Sequence, residues 1–182
     1  MKNLFLFLSI FIPLIGCNQT NSTSSKTTNQ SISYDTLKNE INELESILLK
    51  AQDAKKDKIS AEALISKSEL FVKQFPKDTS AALVLFKAAD VSRGLGEYGK
   101  AIQMWGKVWR DYPDFEKAPL ALFLQGFTFD ANLQDKANAK KYYEQFLEKY
   151  PNDKLVEQVN MLLSVIGKSS EELIHEFKKK NE

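Results

Sequence analysis

One cysteine and one histidine stand in a chain of 182 residues, and their settings limit the chemistry open to it. Cys17 follows a twelve-residue apolar run, Leu4 to Ile15, interrupted only by Ser9 and preceded by Lys2. A lone thiol can be alkylated or acylated. It cannot form a disulfide within one molecule, so the fold must stand on its core alone. His175 sits in the polar stretch EELIHEFKKK near the end. A metal ligand needs companions of suitable type and spacing; His175 has none and reads as an ordinary surface histidine. Gly94, Gly96 and Gly99 lack the spacing of a phosphate-cradling loop and read as turn residues. Glu144 and Glu148 lie one helical turn apart, as on any solvated helix face. No catalytic constellation, metal site or cofactor site emerges, and the chain is not expected to be an enzyme.

The run that carries Cys17 is too short to span a bilayer, for which about 20 apolar residues are needed. With its positive start it fits a secretory leader. Leu14-Ile15-Gly16-Cys17 resembles the lipobox of bacterial lipoproteins. The resemblance implies diacylglyceryl transfer to the Cys17 thiol, cleavage before it and N-acylation of the new terminus. Several acyl chains, each CH₂ contributing roughly 0.8 kcal/mol when buried, make a stable anchor without a spanning helix. An ordinary signal peptide with an accidental cysteine, or a short N-terminal membrane anchor, is the alternative. Asn18 stands where some Gram-negative sorting rules place an inner-membrane aspartate, and this points to the outer membrane, on its periplasmic face.

Three segments follow. Residues 1–16 are a lipoprotein signal peptide. Residues 17–33 are the lipidated cysteine and a tether, of which Asn18 to Ser33 has twelve Ser, Thr or Asn in sixteen residues. Such a stretch buries too little to order itself and has an r.m.s. reach of about 22 Å. Residues 34–182 are long enough for one domain with a sizeable core. The formal net charge is +1 and the leader holds one of the lysines. No basic excess is left to bind nucleic acid.

The domain is organised by repetition. Gln74-Phe75-Pro76-Lys77, Asp111-Tyr112-Pro113-Asp114 and Lys149-Tyr150-Pro151-Asn152 place prolines 37 and 38 residues apart. Periods of this size mean stacked helical hairpins, and the absence of period-2 alternation or hairpin-turn dipeptides leaves an all-α class. In the middle repeat the spacing predicts helices over Thr79 to Leu95 and Gly99 to Asp111. In the next it predicts Glu116 to Asn132 and Ala137 to Lys149, with one extra residue placed in the turn. Upstream, Ile59 to Gln74 reads as a second helix and Asp35 to Gln52 as its first. Downstream come Asp153 to Ile166, a stop at Gly167, a capping box of Ser169 and Glu172, and a last helix from Ser170 to Lys179 with Leu173, Ile174 and Phe177 on one side.

The small residues Ala89 and Gly126, and the pairs Ala101 with Trp105 and Ala139 with Tyr143, each closing on a proline, resemble the tetratricopeptide repeat. Leu85 and Phe123 stand where that motif has tryptophan, and Ser92 replaces a later aromatic. The resemblance implies a short right-handed superhelix of about three helical pairs plus C-terminal capping helices. The wording FPKD, YPDFEKAP and YPND, with an interval of 37 to 38, is similar to repeat lipoproteins and periplasmic repeat proteins of Gram-negative envelopes, such as those of the β-barrel assembly machinery and the Tol–Pal system. It implies an envelope location and an adaptor that binds an unidentified envelope protein or peptide.

In the register of that motif the first helices line the inner curve. The residues facing inward are then Phe86, Asp90 and Arg93, and Phe123, Phe127 and Asp130, with Leu83 and Leu120 at the edge. Phe86, Phe123 and Phe127 form an apolar floor for a partner's peptide or helix, or else they are plain core. Leu37, Ile41, Leu44, Leu48 and Ala51 are spaced as a heptad seam. That seam either packs on the first repeat or joins copies into an oligomeric spacer. Accessory glycan binding is a third reading, which the core-like spacing of Trp105 and Trp109 disfavours.

Overall fold

The computed structural model describes residues 32–51, 55 and 57–180. Cys17, the leader and all of the tether before Ile32 lie outside the described residues. From Ile32 on, the chain forms one compact unit. Its helices are α1 (Tyr34–Ala51), α2 (Lys58–Gln74), α3 (Ala81–Gly94), α4 (Tyr98–Asp111), α5 (Ala118–Phe127), α6 (Lys136–Lys149), α7 (Val156–Val165) and α8 (Ser170–Lys180). No strand occurs among the described residues. Helices α1 to α7 pack in chain order, each on the next. Connections this short make neighbours antiparallel. The result is the all-α stack of helical hairpins that the repeat implies.

The three prolines build three copies of one loop. Helices α2, α4 and α6 end at Phe75, Tyr112 and Tyr150, whose φ values are −127°, −129° and −130° with ψ of 55°, 61° and 58°. Each precedes a proline, whose ring disfavours helical geometry in the residue before it. Each donates its N–H to the carbonyl four residues back: Phe71 at 2.8 Å, Val108 at 3.1 Å and Phe146 at 2.8 Å. Each then accepts at its own carbonyl from the N–H three residues on: Asp78, Phe115 and Asp153. Those in turn accept from Ala81, Ala118 and Val156. Two successive turns therefore precede each new helix. They explain why α3, α5 and α7 begin two or three residues later than Thr79, Glu116 and Asp153. They also give α2 the same ending as α4 and α6, although the sequence ahead of it is degenerate.

The extra residue of the last repeat is not in the turn, which corrects the expectation. The connections Leu95–Glu97 and Leu133–Asp135 are equally long. The helix before the second connection carries the insertion instead, because α5 runs on into a π-helical turn, Thr128–Asn132. Leu133 N–H bonds the Thr128 carbonyl at 3.1 Å, one residue further round than an α-helix allows.

Two apolar clusters hold the stack. The larger joins α2 to α7 through Ile65, Leu85, Trp105, Val108, Leu122, Tyr143, Phe146 and Val159. Leu85 and Leu122 are 37 residues apart and both buried. Leu122, rather than Phe123, is thus the equivalent of Leu85. Trp105 is wholly buried and Trp109 nearly so, which leaves no indole platform for a sugar. Gly126 lets α5 approach α6: a β-carbon there would meet Tyr143 Cδ1 at 2.8 Å. Gln125, also buried, ties α5 to α4. It accepts from Trp109 Nε1 at 2.6 Å and donates to the Ile102 carbonyl at 2.7 Å.

The smaller cluster holds Leu37, Ile41, Leu64, Phe71, Ala81 and Val84, with Leu44 and Leu48 packed against it. The heptad seam of α1 is therefore consumed by α2 and α3 of its own chain. Ion pairs of Glu40 with Lys67 at 2.7 Å and Glu45 with Lys87 at 2.6 Å fasten its flanks. An oligomeric spacer built on residues 37–51 has no free seam to use, and that reading is withdrawn.

At the far end Gly167 takes φ +79°, the left-handed stop expected of it. The capping box forms as read: Ser169 N–H donates to Glu172 Oε2 at 2.7 Å, and Glu172 N–H to Ser169 Oγ at 3.2 Å. The side chains of Leu173 and Phe177 lie outside the described residues.

Candidate functional site

In the repeat register read from the sequence, the first helices, α3 and α5, are the ones expected to carry the inner face. Phe86 and Phe123 occupy equivalent positions on them, as do Asp90 and Phe127, and Arg93 and Asp130. Helical spacing does bring each triple onto one side, but the rings differ in fate. Phe86 is 5% exposed and Phe123 is 6% exposed. The loop after α4 folds over the first: Phe115 meets Phe86 edge-on at 6.3 Å, and Lys117 Nζ lies 5.6 Å from its ring centre. Phe123 is packed among Phe127 at 5.9 Å, Tyr143 at 6.1 Å and Phe146 at 6.5 Å. An apolar floor of three open phenylalanines is therefore incorrect. Two of them are core, roofed by a loop and by their own neighbours, and only Phe127 stays half-buried. Leu83 and Leu120 are half-buried as well.

The polar residues form two groups. In the first, Asp90 and Arg93 share one turn of α3, and Lys117 approaches from the loop. Burial raises the Asp90 carboxyl above its ordinary range, with Arg93 and Lys117 pulling the other way. Arg93 Nε is shut from solvent with no hydrogen-bond partner. In the second group, Asp130 on the π-helical turn is met by the Lys136 ammonium and by the Tyr143 hydroxyl, which donates at 3.4 Å. Burial foremost, and then the Asp130 charge, raise Tyr143 far above the usual phenol range. Asp130 is thus engaged by its own chain. Asp90, Arg93 and Phe127 hold the less committed atoms.

Sequence reasoning missed Lys117 and Gln125. Lys117 shows no periodic signal, because it lies in the loop ahead of α5. Gln125 did leave a trace, as the one polar side chain in the run APLALFLQGF.

The raised Asp90 carboxyl makes a prediction. A carboxyl whose value is higher in the fold than unfolded loses stability as pH rises from the ordinary aspartate range through the folded value. Above that window the whole penalty is present. Asp90→Asn is therefore expected to raise the melting temperature at pH 7. The gain should vanish as pH falls below the ordinary aspartate range. Melting curves of both proteins across acid pH check this; a gap of equal size at every pH would show that charge is not its cause.

Comparison with known families agrees with the geometry. The tetratricopeptide repeat model matches residues 83–114 and 120–153. These spans cover most of α3 with α4, and most of α5 with α6. No curated protein matches the chain in sequence.

Proposed function

We propose that this chain, which contains two tetratricopeptide repeats, is a lipid-anchored adaptor of a bacterial cell envelope. It binds a partner protein through its inner face and performs no chemistry of its own. Tetratricopeptide repeats are protein-interaction scaffolds, and that coarser function stands on the repeats themselves. The observation that carries the finer reading is the inner strip of Asp90, Arg93 and Phe127. It combines a half-buried ring, a desolvated carboxyl and a guanidinium nitrogen left without a partner. A protein partner supplies ring contact and hydrogen-bond acceptors together, and arginine and aromatic side chains dominate binding energy at interfaces. Lipidation of Cys17, the outer membrane and its periplasmic face complete the proposal, supported by the leader and the tether composition.

The experiment is crosslinking in cells that make the protein, followed by mass spectrometry of what stays attached. Wild type is compared with Arg93→Ala/Phe127→Ala, which spares the buried rings. The expected result is one envelope protein captured by wild type and lost, by tenfold or more, in a variant that still folds by circular dichroism. Undiminished capture by that variant would move the site elsewhere. A Cys17→Ser protein run alongside is expected to lose palmitate labelling; retained label would dismiss the anchor while leaving the inner face in question separately.

A further inference from the structure

Antiparallel hairpins stacked in chain order put all their tips on one edge and all their proline loops on the other. The tip edge receives the ends of α1, α3, α5 and α7 and the starts of α2, α4 and α6. Exposed aliphatic side chains gather there. Leu49 and Ile59, at the last turn of α1 and the first of α2, are 79% and 83% exposed, and Ile47, Leu133 and Val165 are open too. On the proline-loop edge, Tyr34 is the one large apolar side chain of this kind among the described residues, while Met161 and Ile174, 58% and 57% exposed, lie midway along α7 and α8.

We propose that the tip edge rests on a lipid bilayer, with Leu49 and Ile59 inserted at the boundary of headgroups and acyl chains. Side chains this exposed project from the surface; they do not line a pocket. None of the five is aromatic. Protein hot spots favour Trp, Tyr and Arg seated in packed pockets, and use Leu and Val sparingly. A fluid apolar phase asks only for aliphatic area and takes projecting points without shape complementarity. Lys50 and Lys58, both exposed, flank the two aliphatics with ammonium groups for lipid phosphates. Lys58 also meets Glu62 at 3.4 Å, an exposed contact of little strength.

Reach is no obstacle. Helix α1 has 18 residues and spans about 27 Å, so the chain enters the domain at the edge away from the bilayer. The sixteen residues from Asn18 to Ser33 have a contour length of at most about 55 Å, greater than the length of that helix. The inference itself does not need acylation.

Residues 18–182 include the whole compact unit and no cysteine. Leu49→Cys, Ile59→Cys and, on the opposite edge, Asp114→Cys can each carry an environment-sensitive dye. The probe is vesicles of phosphatidylethanolamine and phosphatidylglycerol at millimolar lipid. The expected result is a blue shift at positions 49 and 59 and none at 114. Leu49→Ser/Ile59→Ser, which alters only exposed side chains, is expected to lower vesicle partitioning by about tenfold or more. Absence of a shift, an equal shift at 114, or unchanged partitioning of the serine variant overturns the proposal. A blue shift without lipid that grows with protein concentration also overturns it, since copies then meet at their tips.

Discussion

Phe123→Ala is expected to destabilise the fold by about 3–5 kcal/mol, the range for emptying a buried phenylalanine site. The ring is enclosed by Phe127, Tyr143 and Phe146 at the meeting of α5 and α6. Those neighbours sit on two different helices that are already in contact, so the space cannot collapse without moving one of them. Domains of this size are stable by about 5–15 kcal/mol in all. The variant should therefore melt roughly 10 °C or more below wild type. Phe127→Ala, one turn on and half-buried, is expected to cost about 1 kcal/mol or less, because part of its area already faces water. Thermal melts of the two single variants check the contrast. Equal losses would return Phe123 to the inner surface and would reopen the three-ring floor.

Gly126→Ala is expected to destabilise by about 1–3 kcal/mol, the usual cost of overpacking. The added methyl would stand 2.8 Å and 2.9 Å from Tyr143 Cδ1 and Cε1, and 3.3 Å from Tyr142 Cβ. The obstacle is a rigid ring held by burial and by its bond to Asp130, not the far end of a flexible chain. Helix propensity works the other way, since alanine is better than glycine in a helix by about 1 kcal/mol. A net loss therefore reports the clash. The double-mutant cycle with Tyr143→Leu isolates it. Once the ring is gone, Gly126→Ala should turn neutral or stabilising, giving a coupling of about 1 kcal/mol or more. A coupling near zero would mean that α5 and α6 simply move apart.

The sequence was most readable where covalent geometry acts. A proline limits the residue before it whatever the tertiary setting, so the ends of α2, α4 and α6 followed from Phe75-Pro76, Tyr112-Pro113 and Tyr150-Pro151. Gly126 was readable for the same kind of reason, as a residue without a β-carbon where helices touch. The capping box of Ser169 and Glu172 is local too. Helix starts were less readable. The residues from Pro76 to Ser80 satisfy their backbone groups in two successive turns, and no residue type marks that choice over an earlier helix.

The inner face shows where periodicity stops informing. A spacing of 37 assigns Phe86 and Phe123 to one side of their helices. It says nothing of a loop that folds over that side, as Phe115 and Lys117 do. The heptad of α1 met the same limit: its pattern describes a stripe needing cover, and α2 with α3 supplied the cover. The insertion in the last repeat was visible as a count of residues. Whether a count is absorbed by a loop or by a wider helical turn depends on packing against α4 and α6, which a single sequence does not express.

The division into two clusters bears on load. Helix α1 is the first helix of the folded unit, and its apolar face lies wholly in the smaller cluster with α2 and the start of α3. Tension arriving through the N-terminal segment acts on α1 before anything else, and at its Tyr34 end. Peeling that helix breaks contacts of Leu37 and Ile41 one turn at a time. Trp105, Tyr143 and Phe146 belong to the other cluster, which shares only the flanking Val72, Val91 and Tyr112 with the smaller one among the residues described. Under pull, the domain would lengthen by shedding its first helix as a sacrificial link, while α4 to α7 and the inner face on α5 kept their shape.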